Sequence, residues 1–389
     1  MLHYGIVSSF LLVLFFATAN VFSYQEAIVN GFADIKTYYF LSQNEFTTNA
    51  INLFPSHHLE RWVVHYLAGQ LSRLTGFDIW EIYQSLVFLC IVAVTLLVSL
   101  LKDDNQNKML FLSFLLLNPY TFRLYWAAPG MISDCLFYTT IIFFCYSIKY
   151  KKNRMLIVSS CLLMMFRQTG ILLILPLALY AIVNKKNKDI LLSSLASIFF
   201  IVTLFILTKH ITESLYGKAE DGYFISHAFG VVFWLFNSFK FASLIFFFGR
   251  YFLFILSIAV VLYYLYLGFI EHNQKIRDNY VFVFVLAFVL IQLQPLAGGP
   301  GVTGGNIQRL AAFGIPFLVF LFPALASNKF YTMALVICLF FVSLHHKFTF
   351  LINIEHGNLI FLLLLASPMF YITYVWKKNA SFSHHPLLQ

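Results

Sequence analysis

Apolar runs long enough to cross a bilayer, separated by short lysine-rich loops, leave this chain few architectures. Hydrocarbon offers no partner to exposed backbone N–H and C=O groups, so each run is predicted to be a helix. A soluble alternative fails on composition, because 60% of the residues are hydrophobic and only 11% are charged. The expected fold class is all-α: a polytopic transmembrane helical bundle forming one integral membrane domain over residues 1–389. The net charge of +9 needs no nucleic-acid partner, since loop lysines facing anionic membrane lipids account for most of it. The five cysteines (Cys90, Cys135, Cys145, Cys161, Cys338) lie in apolar segments without a CxxC pair and are read as packing residues.

The basic loops set the threading. Lys102 to Lys108, Lys149 to Arg154, Lys185 to Lys188, Lys275 to Arg277, Lys329 and Lys377-Lys378 are all expected on the cytoplasmic side, so an even number of crossings separates each from the next. Residues 5–24 form a first helix that is expected to stay uncleaved, because no Lys or Arg precedes it. Met109–Lys149 then divides at Pro129-Gly130, and Met155–Asn184 divides at Arg167-Gln168-Thr169-Gly170 into two short helices. With a second helix following the outer loop that ends at about Ile79, and further crossings expected at 190–208, 251–270, 280–296, 310–326, 330–344 and 358–376, the total is about twelve with both termini cytoplasmic. Residues 229–248 are apolar but contain Asn237 and Lys240, and are placed as an interfacial or re-entrant segment on the outer face.

Three outer segments remain. Residues 25–79 form a large loop in which Trp62, Val63, Tyr66, Leu67, Leu71 and Leu74 recur at helical spacing, with Arg61, His65 and Arg73 opposite, the pattern of an outer-face amphipathic helix. Residues 209–250 combine a polar loop carrying Glu213, Glu220 and Asp221 with the interfacial segment. Residues 297–309 read as a flexible glycine-rich turn ending at Arg309.

This threading puts most lysines on one side and gathers Arg61, Arg73, Arg167, Arg309, Arg123 and Arg250 on or near the other. Guanidinium groups collected against the positive-inside trend mark a site for an anion, because their planar fork binds phosphate or carboxylate in a bidentate way. Asp34, soon after the first helix, is a candidate general base or else a helix N-cap. Glu60 and Arg61 open the surface helix, where Glu60 can complement the helix N-terminus and Arg61 can bind phospholipid or snorkel. Arg167 interrupts an apolar hairpin at a depth where a charge must be paired or line a cavity. Asp134 is its candidate partner, which leaves a structural bridge and a ligand-binding Arg167 both open. The glycines before Arg309 form no phosphate-loop pattern, and the histidines (among them His57-His58, His65, His345-His346 and His356) show no metal-ligand spacing.

Taken together, Asp34 with its following aromatic run, the helix beginning Glu60-Arg61, the short hairpins, and Asn306-Ile307-Gln308-Arg309 ahead of a helix with Pro316 resemble the GT-C superfamily of polytopic glycosyltransferases. The resemblance implies a GT-C-like fold and transfer of a sugar from a polyprenyl-phosphate donor to a glycan or lipid acceptor at the outer face, in cell-envelope polysaccharide biosynthesis. It implies Asp34 as general base, and Arg61, Arg167 and Arg309 holding the donor phosphate, with Asp134 and Glu60 lining the substrate site. Partners would be the lipid-linked donor, the acceptor and membrane lipids, in a bacterial inner (plasma) membrane. Asp34 is followed by Ile35, so the adjacent acidic pair of the superfamily is absent; a divalent metal is not supported by spacing, no metal ligand is assigned, and the cofactor stays open.

Two rivals remain. An O-antigen-type polysaccharide polymerase shares the topology and the outward arginines but uses polyprenyl-diphosphate-linked repeat units. A transporter or flippase would instead place ionisable groups near the bilayer midplane, often in two matching halves.

Overall fold

The computed structural model describes residues 2–43, 46–103, 105–118, 120–218, 229–270, 279–302 and 307–325. The described residues are helical, with no strand among them. In chain order the helices are α1 (Leu2–Thr18), α2 (Tyr24–Val29), α3 (Asp34–Ser42), α4 (Ser56–Leu59), α5 (Trp62–Thr75), α6 (Ile79–Ser99), α7 (Asn105–Leu117), α8 (Phe122–Ala127), α9 (Ile132–Lys149) and α10 (Asn153–Phe166). They continue with α11 (Ile174–Val183), α12 (Lys188–Tyr216), α13 (Gly230–Asn237), α14 (Phe241–Ile270), α15 (Asn279–Val302), α16 (Ile307–Ala312) and α17 (Ile315–Leu325). The main apolar core runs from Leu11 to Leu321, and a smaller separate cluster joins Phe247, Tyr251, Ile307 and Ala311. Among the described residues, four helices are long and apolar enough to cross a membrane: Ile79–Ser99, Pro129–Lys149, Lys188–Tyr216 and Tyr280–Gly301. Shorter apolar helices, Asn153–Phe166 and Gln168–Val183 among them, accompany these.

Local chemistry sets the element ends. Asp78 and Glu81 form a reciprocal capping box that starts α6, and Ser23 with Glu26 does the same for α2. Gly76, at φ +74°, supplies the left-handed residue that ends α5. The Arg167 hairpin is formed as expected. Its extended backbone (φ −161°, ψ 135°) breaks the helix, and a 3-10 turn over Gln168–Leu173 leads into α11. At the far end of α11, the Tyr180 hydroxyl donates to the Ile148 carbonyl near the end of α9 at 3.2 Å, so α11 returns to the side where α9 finishes.

That finishing side is lysine-rich. Lys149 bonds Asp103 at 2.8 Å, the Lys102 amide donates to the Tyr150 hydroxyl at 2.9 Å, and Lys108 donates to the Ser99 carbonyl at 2.9 Å. The starts of α3, α5, α9 and the 3-10 turn, together with α16, meet at the opposite end through Asp34, Arg61, Asp134, Arg167 and Arg309. The bundle therefore has a lysine end and an arginine end.

Several expected boundaries are corrected. Residues 209–216, expected in a polar loop, are helical, because α12 continues through a Lys209–Glu213 pair one turn apart and stops at Gly217, φ +100°. The glycine-rich turn expected over 297–309 has helical residues on both sides of a break at Gly299 (φ +66°), up to Val302 despite Pro295 and Pro300, and Arg309 sits on α16. The interfacial segment expected over 229–248 is two pieces. α13 packs against the kinked end of α15, where Gly299 lies against the Val231 backbone, and Phe241 already belongs to the 30-residue α14. The crossings expected at 330–344 and 358–376, the loops at Lys275–Arg277, Lys329 and Lys377-Lys378, and the residues Glu220, Asp221, Asn306, Cys338, His345, His346 and His356 lie outside the described residues.

Candidate functional site

At the arginine end two carboxylates face three guanidiniums. Asp134, one turn into α9, is fully enclosed, and its Oδ1 accepts from both Arg167 Nη1 and Arg61 Nη1, the latter at 3.2 Å. Arg309 Nε lies 3.8 Å from the other Asp134 oxygen, beyond hydrogen-bonding reach. Arg309 Nη2 donates to Asp34 Oδ2 at 2.8 Å, and His58 Nε2 stands 3.7 Å from that same oxygen. Burial grades across the site. Asp134 is 0% exposed, whereas Asp34, Arg309 and His58 keep 15%, 11% and 10% of their side-chain surface. The Asp34–Arg309–His58 edge is thus the side nearest solvent.

Each arginine is held by a different device. Arg61 donates to the Tyr38 hydroxyl, and its guanidinium lies over the Tyr38 ring at 5.8 Å. Tyr38 stacks on His65 (centroids 4.3 Å apart, 7° between planes), whose Nδ1 meets the Tyr83 hydroxyl at 2.9 Å. Arg167 donates from Nε to Thr169 Oγ1 at 3.1 Å and lies 4.8 Å over the Phe313 ring. Arg309 also approaches Met131 Sδ at 4.0 Å. Among the described residues the buried atoms Asp134 Oδ2, Arg61 Nε, Arg309 Nε and His58 Nδ1 have no hydrogen-bond partner.

Electrostatics follow from this geometry. Burial alone would push the Asp34 carboxyl up, but Arg309, His58 and Arg61 outweigh it and hold the group well below the usual carboxylate range. Asp34 is therefore ionised and only weakly basic. Burial, reinforced by Arg61, Arg309 and Arg167 against the opposing pull of Asp34, pushes His58 down to about 4. Burial raises the Glu60 carboxyl, opposed by a hydrogen bond from Gln168 and by Arg61.

The structure brings Asp34, Asp134, Arg61, Arg167 and Arg309 together. Asp34 is not an N-cap: Ala33 holds that position, and the Asp34 carboxylate points to Arg309 and His58 instead. The Arg167–Asp134 bridge is present. Glu60 does not open α5 but closes α4, and it contacts Gln168 outside the ion-pair network. Two further arginines do not join. Arg123 is buried in α8, donating to Thr18 Oγ1 at 2.9 Å above the Phe15 ring, and Arg73 is exposed, donating to the Gln43 carbonyl. The Arg250 side chain lies outside the described residues. Tyr38, Thr169 and His58 were missed as site residues. Tyr38 had a readable signal, since it lies one helical turn after Asp34 and so shares its face. Among the described residues no group of three or more His, Cys, Asp or Glu is placed to hold a metal ion. No protein-family model, no curated protein and no solved structure matches the chain.

Proposed function

We propose that this chain is a GT-C-like membrane glycosyltransferase, threaded about twelve times through a bacterial inner membrane, that moves a sugar from a polyprenyl-phosphate donor to a glycan or lipid acceptor at the outer face. The observation that carries the reading is the convergence of Arg61, Arg167 and Arg309 on Asp34 and Asp134 at the end of the bundle away from the lysines. Sugar transfer from a lipid phosphate needs cationic stabilisation of the leaving phosphate and a group to receive the acceptor's proton. The guanidiniums supply the first, and Asp34, ionised at the most accessible edge, lies on the path of the second. Three guanidiniums against two carboxylates leave one positive charge, which a phosphodiester-linked sugar matches. That balance favours the monophosphate donor over the diphosphate-linked repeat unit of a polymerase. The one-ended placement of the charges argues against a transporter, whose ionisable groups belong near the midplane.

The test is transfer of labelled sugar from a synthetic polyprenyl-phosphate sugar by the full chain in proteoliposomes. We expect product with the wild type and a loss of roughly 100-fold or more with Asp34→Asn or Arg309→Gln. Product only from a diphosphate-linked repeat unit would move the assignment to a polymerase. Movement of the intact lipid-linked sugar across the bilayer, without any new glycosidic bond, would move it to a flippase.

A further inference from the structure

Asp34 is badly suited to take a proton itself. The oxygen facing the site is committed to Arg309 at 2.8 Å, and a carboxylate so paired has little affinity for a proton. Its neighbour has the opposite design. His58 sits on the short α4 with Nε2 toward Asp34 Oδ2 at 3.7 Å, while Nδ1, enclosed beside the His57 ring (centroids 4.1 Å apart), has no hydrogen-bond partner among the described residues. Nδ1 is sealed off, so Nε2, at the carboxylate edge, is the nitrogen an acceptor hydroxyl can reach, and its lone pair is free when the hydrogen sits on Nδ1. The groups facing this imidazole are Asp34 and Tyr38 from α3, Arg61 and His65 from α5, and Arg167 and Arg309.

We propose that His58, oriented by Asp34, is the group that receives the acceptor's proton, and that an anion bound to the arginine cluster is what makes it able to do so. The proposal rests on the transferase reading and names the proton acceptor within that site, moving this role from Asp34 to its neighbour. Arg61, Arg309 and Arg167 all oppose a positive imidazole. A phosphate held by the same guanidiniums cancels that opposition and leaves Asp34 to favour the imidazolium. The base is thus armed only when the donor is present. In the transfer step the acceptor O–H bond breaks with its proton passing to Nε2, and the acceptor oxygen bonds to the anomeric carbon. The anomeric carbon–phosphate oxygen bond breaks with its electron pair staying on the polyprenyl phosphate, and the imidazolium then returns its proton to water. In this scheme Asp34 is a positioning residue.

The experiment follows His58 directly. The full chain, labelled with carbon-13 at histidine Cε1 and held in lipid nanodiscs, is titrated by NMR with and without farnesyl phosphate. His58→Gln and His58→Asn identify the resonance, and their thermal midpoints report folding. We expect a His58 midpoint near 4 in the empty protein, rising by about one unit or more with farnesyl phosphate, since a neutralised guanidinium no longer opposes the charged imidazole. The rise should disappear in Asp34→Asn. By reciprocity, farnesyl phosphate should bind the wild type more tightly as pH falls through the raised midpoint, by about tenfold per unit of displacement, relative to His58→Gln. Both His58 variants should lose transfer about 100-fold or more with the donor KM nearly unchanged. A midpoint unmoved by saturating farnesyl phosphate, or transfer surviving in a folded His58→Gln protein, overturns the proposal. A shifted midpoint in a protein that transfers no sugar supports the coupled proton site and overturns the transferase reading alone.

Discussion

Asp134 and Asp34 differ in how much they depend on their partners. Asp134 has no exposed surface, and one of its oxygens serves two guanidiniums, so neutralising it strands positive charge where water cannot reach. Asp34 lies at the partly exposed edge, where water can replace a lost contact. Asp134→Asn should therefore cost about 3–5 kcal/mol of stability, and Asp34→Asn distinctly less, as read from thermal unfolding in a mild detergent. Equal losses would mean that Asp134 is not the anchor of the network. The ionisable residues of this site were readable from sequence in part because charge is costly among apolar helices and must be paired. Arg167 and its partner Asp134 stood out on that ground, Arg61 and Arg309 through the gathering of arginines away from the lysine loops, and Asp34 by its place soon after the first helix. His58 did not, because spacing alone tests a histidine for metal ligation and is blind to a single carboxylate brought in from another helix. Arg123 shows a related limit: position along the chain cannot separate a guanidinium at the site from one packed on Phe15 and Thr18.

Between elements, the site depends on how closely α3 and α5 approach. A methyl group at Gly69 would overlap the carbonyl oxygen of Ser42 at the end of α3. Gly69→Ala must therefore push α3 away from α5, and with it Asp34 and Tyr38 away from Arg61. We expect a stability loss of about 1–3 kcal/mol from this overpacking and a fall in sugar transfer of about tenfold or more, since small misplacements of reacting groups are costly. Gly76→Ala strains the left-handed end of α5 but meets no neighbour, so it should leave transfer intact. Comparable transfer by the two variants would disconnect this contact from the site. At this scale the sequence was legible in its helices and less so at their ends. The periodic face of α5 and the break at Arg167 were readable. The continuation of α12 to Tyr216 was not, because a polar stretch that extends a helix through Lys209–Glu213 reads as a loop. The helical residues beyond Pro295 were equally hidden, since proline and glycine usually end helices, and Gly299 does break this one before it resumes at Pro300.

For the molecule as a whole, the separation of lysine and arginine ends makes a testable statement about sidedness. In a cysteine-free background, single cysteines at Lys186 and Thr75, both exposed, should react with a membrane-impermeant maleimide from opposite faces of sealed vesicles. Labelling of both from one face would remove the outer-face assignment. Polarity was the most legible whole-molecule property, because it follows from loop charge; the number of crossings was less so, because short broken helices count differently from continuous ones. The orientation of α5 carries one more consequence. Its small and polar face, with His65 fully buried, turns into the protein, and its apolar side, with Leu74 83% exposed, turns out. The helix that begins beside Arg61 therefore presents an apolar stripe to whatever surrounds the protein. On the proposed function, a harsh surfactant that competes for that stripe should lower sugar transfer while circular dichroism still reports a folded helical bundle, so that purification conditions would silence the protein without denaturing it.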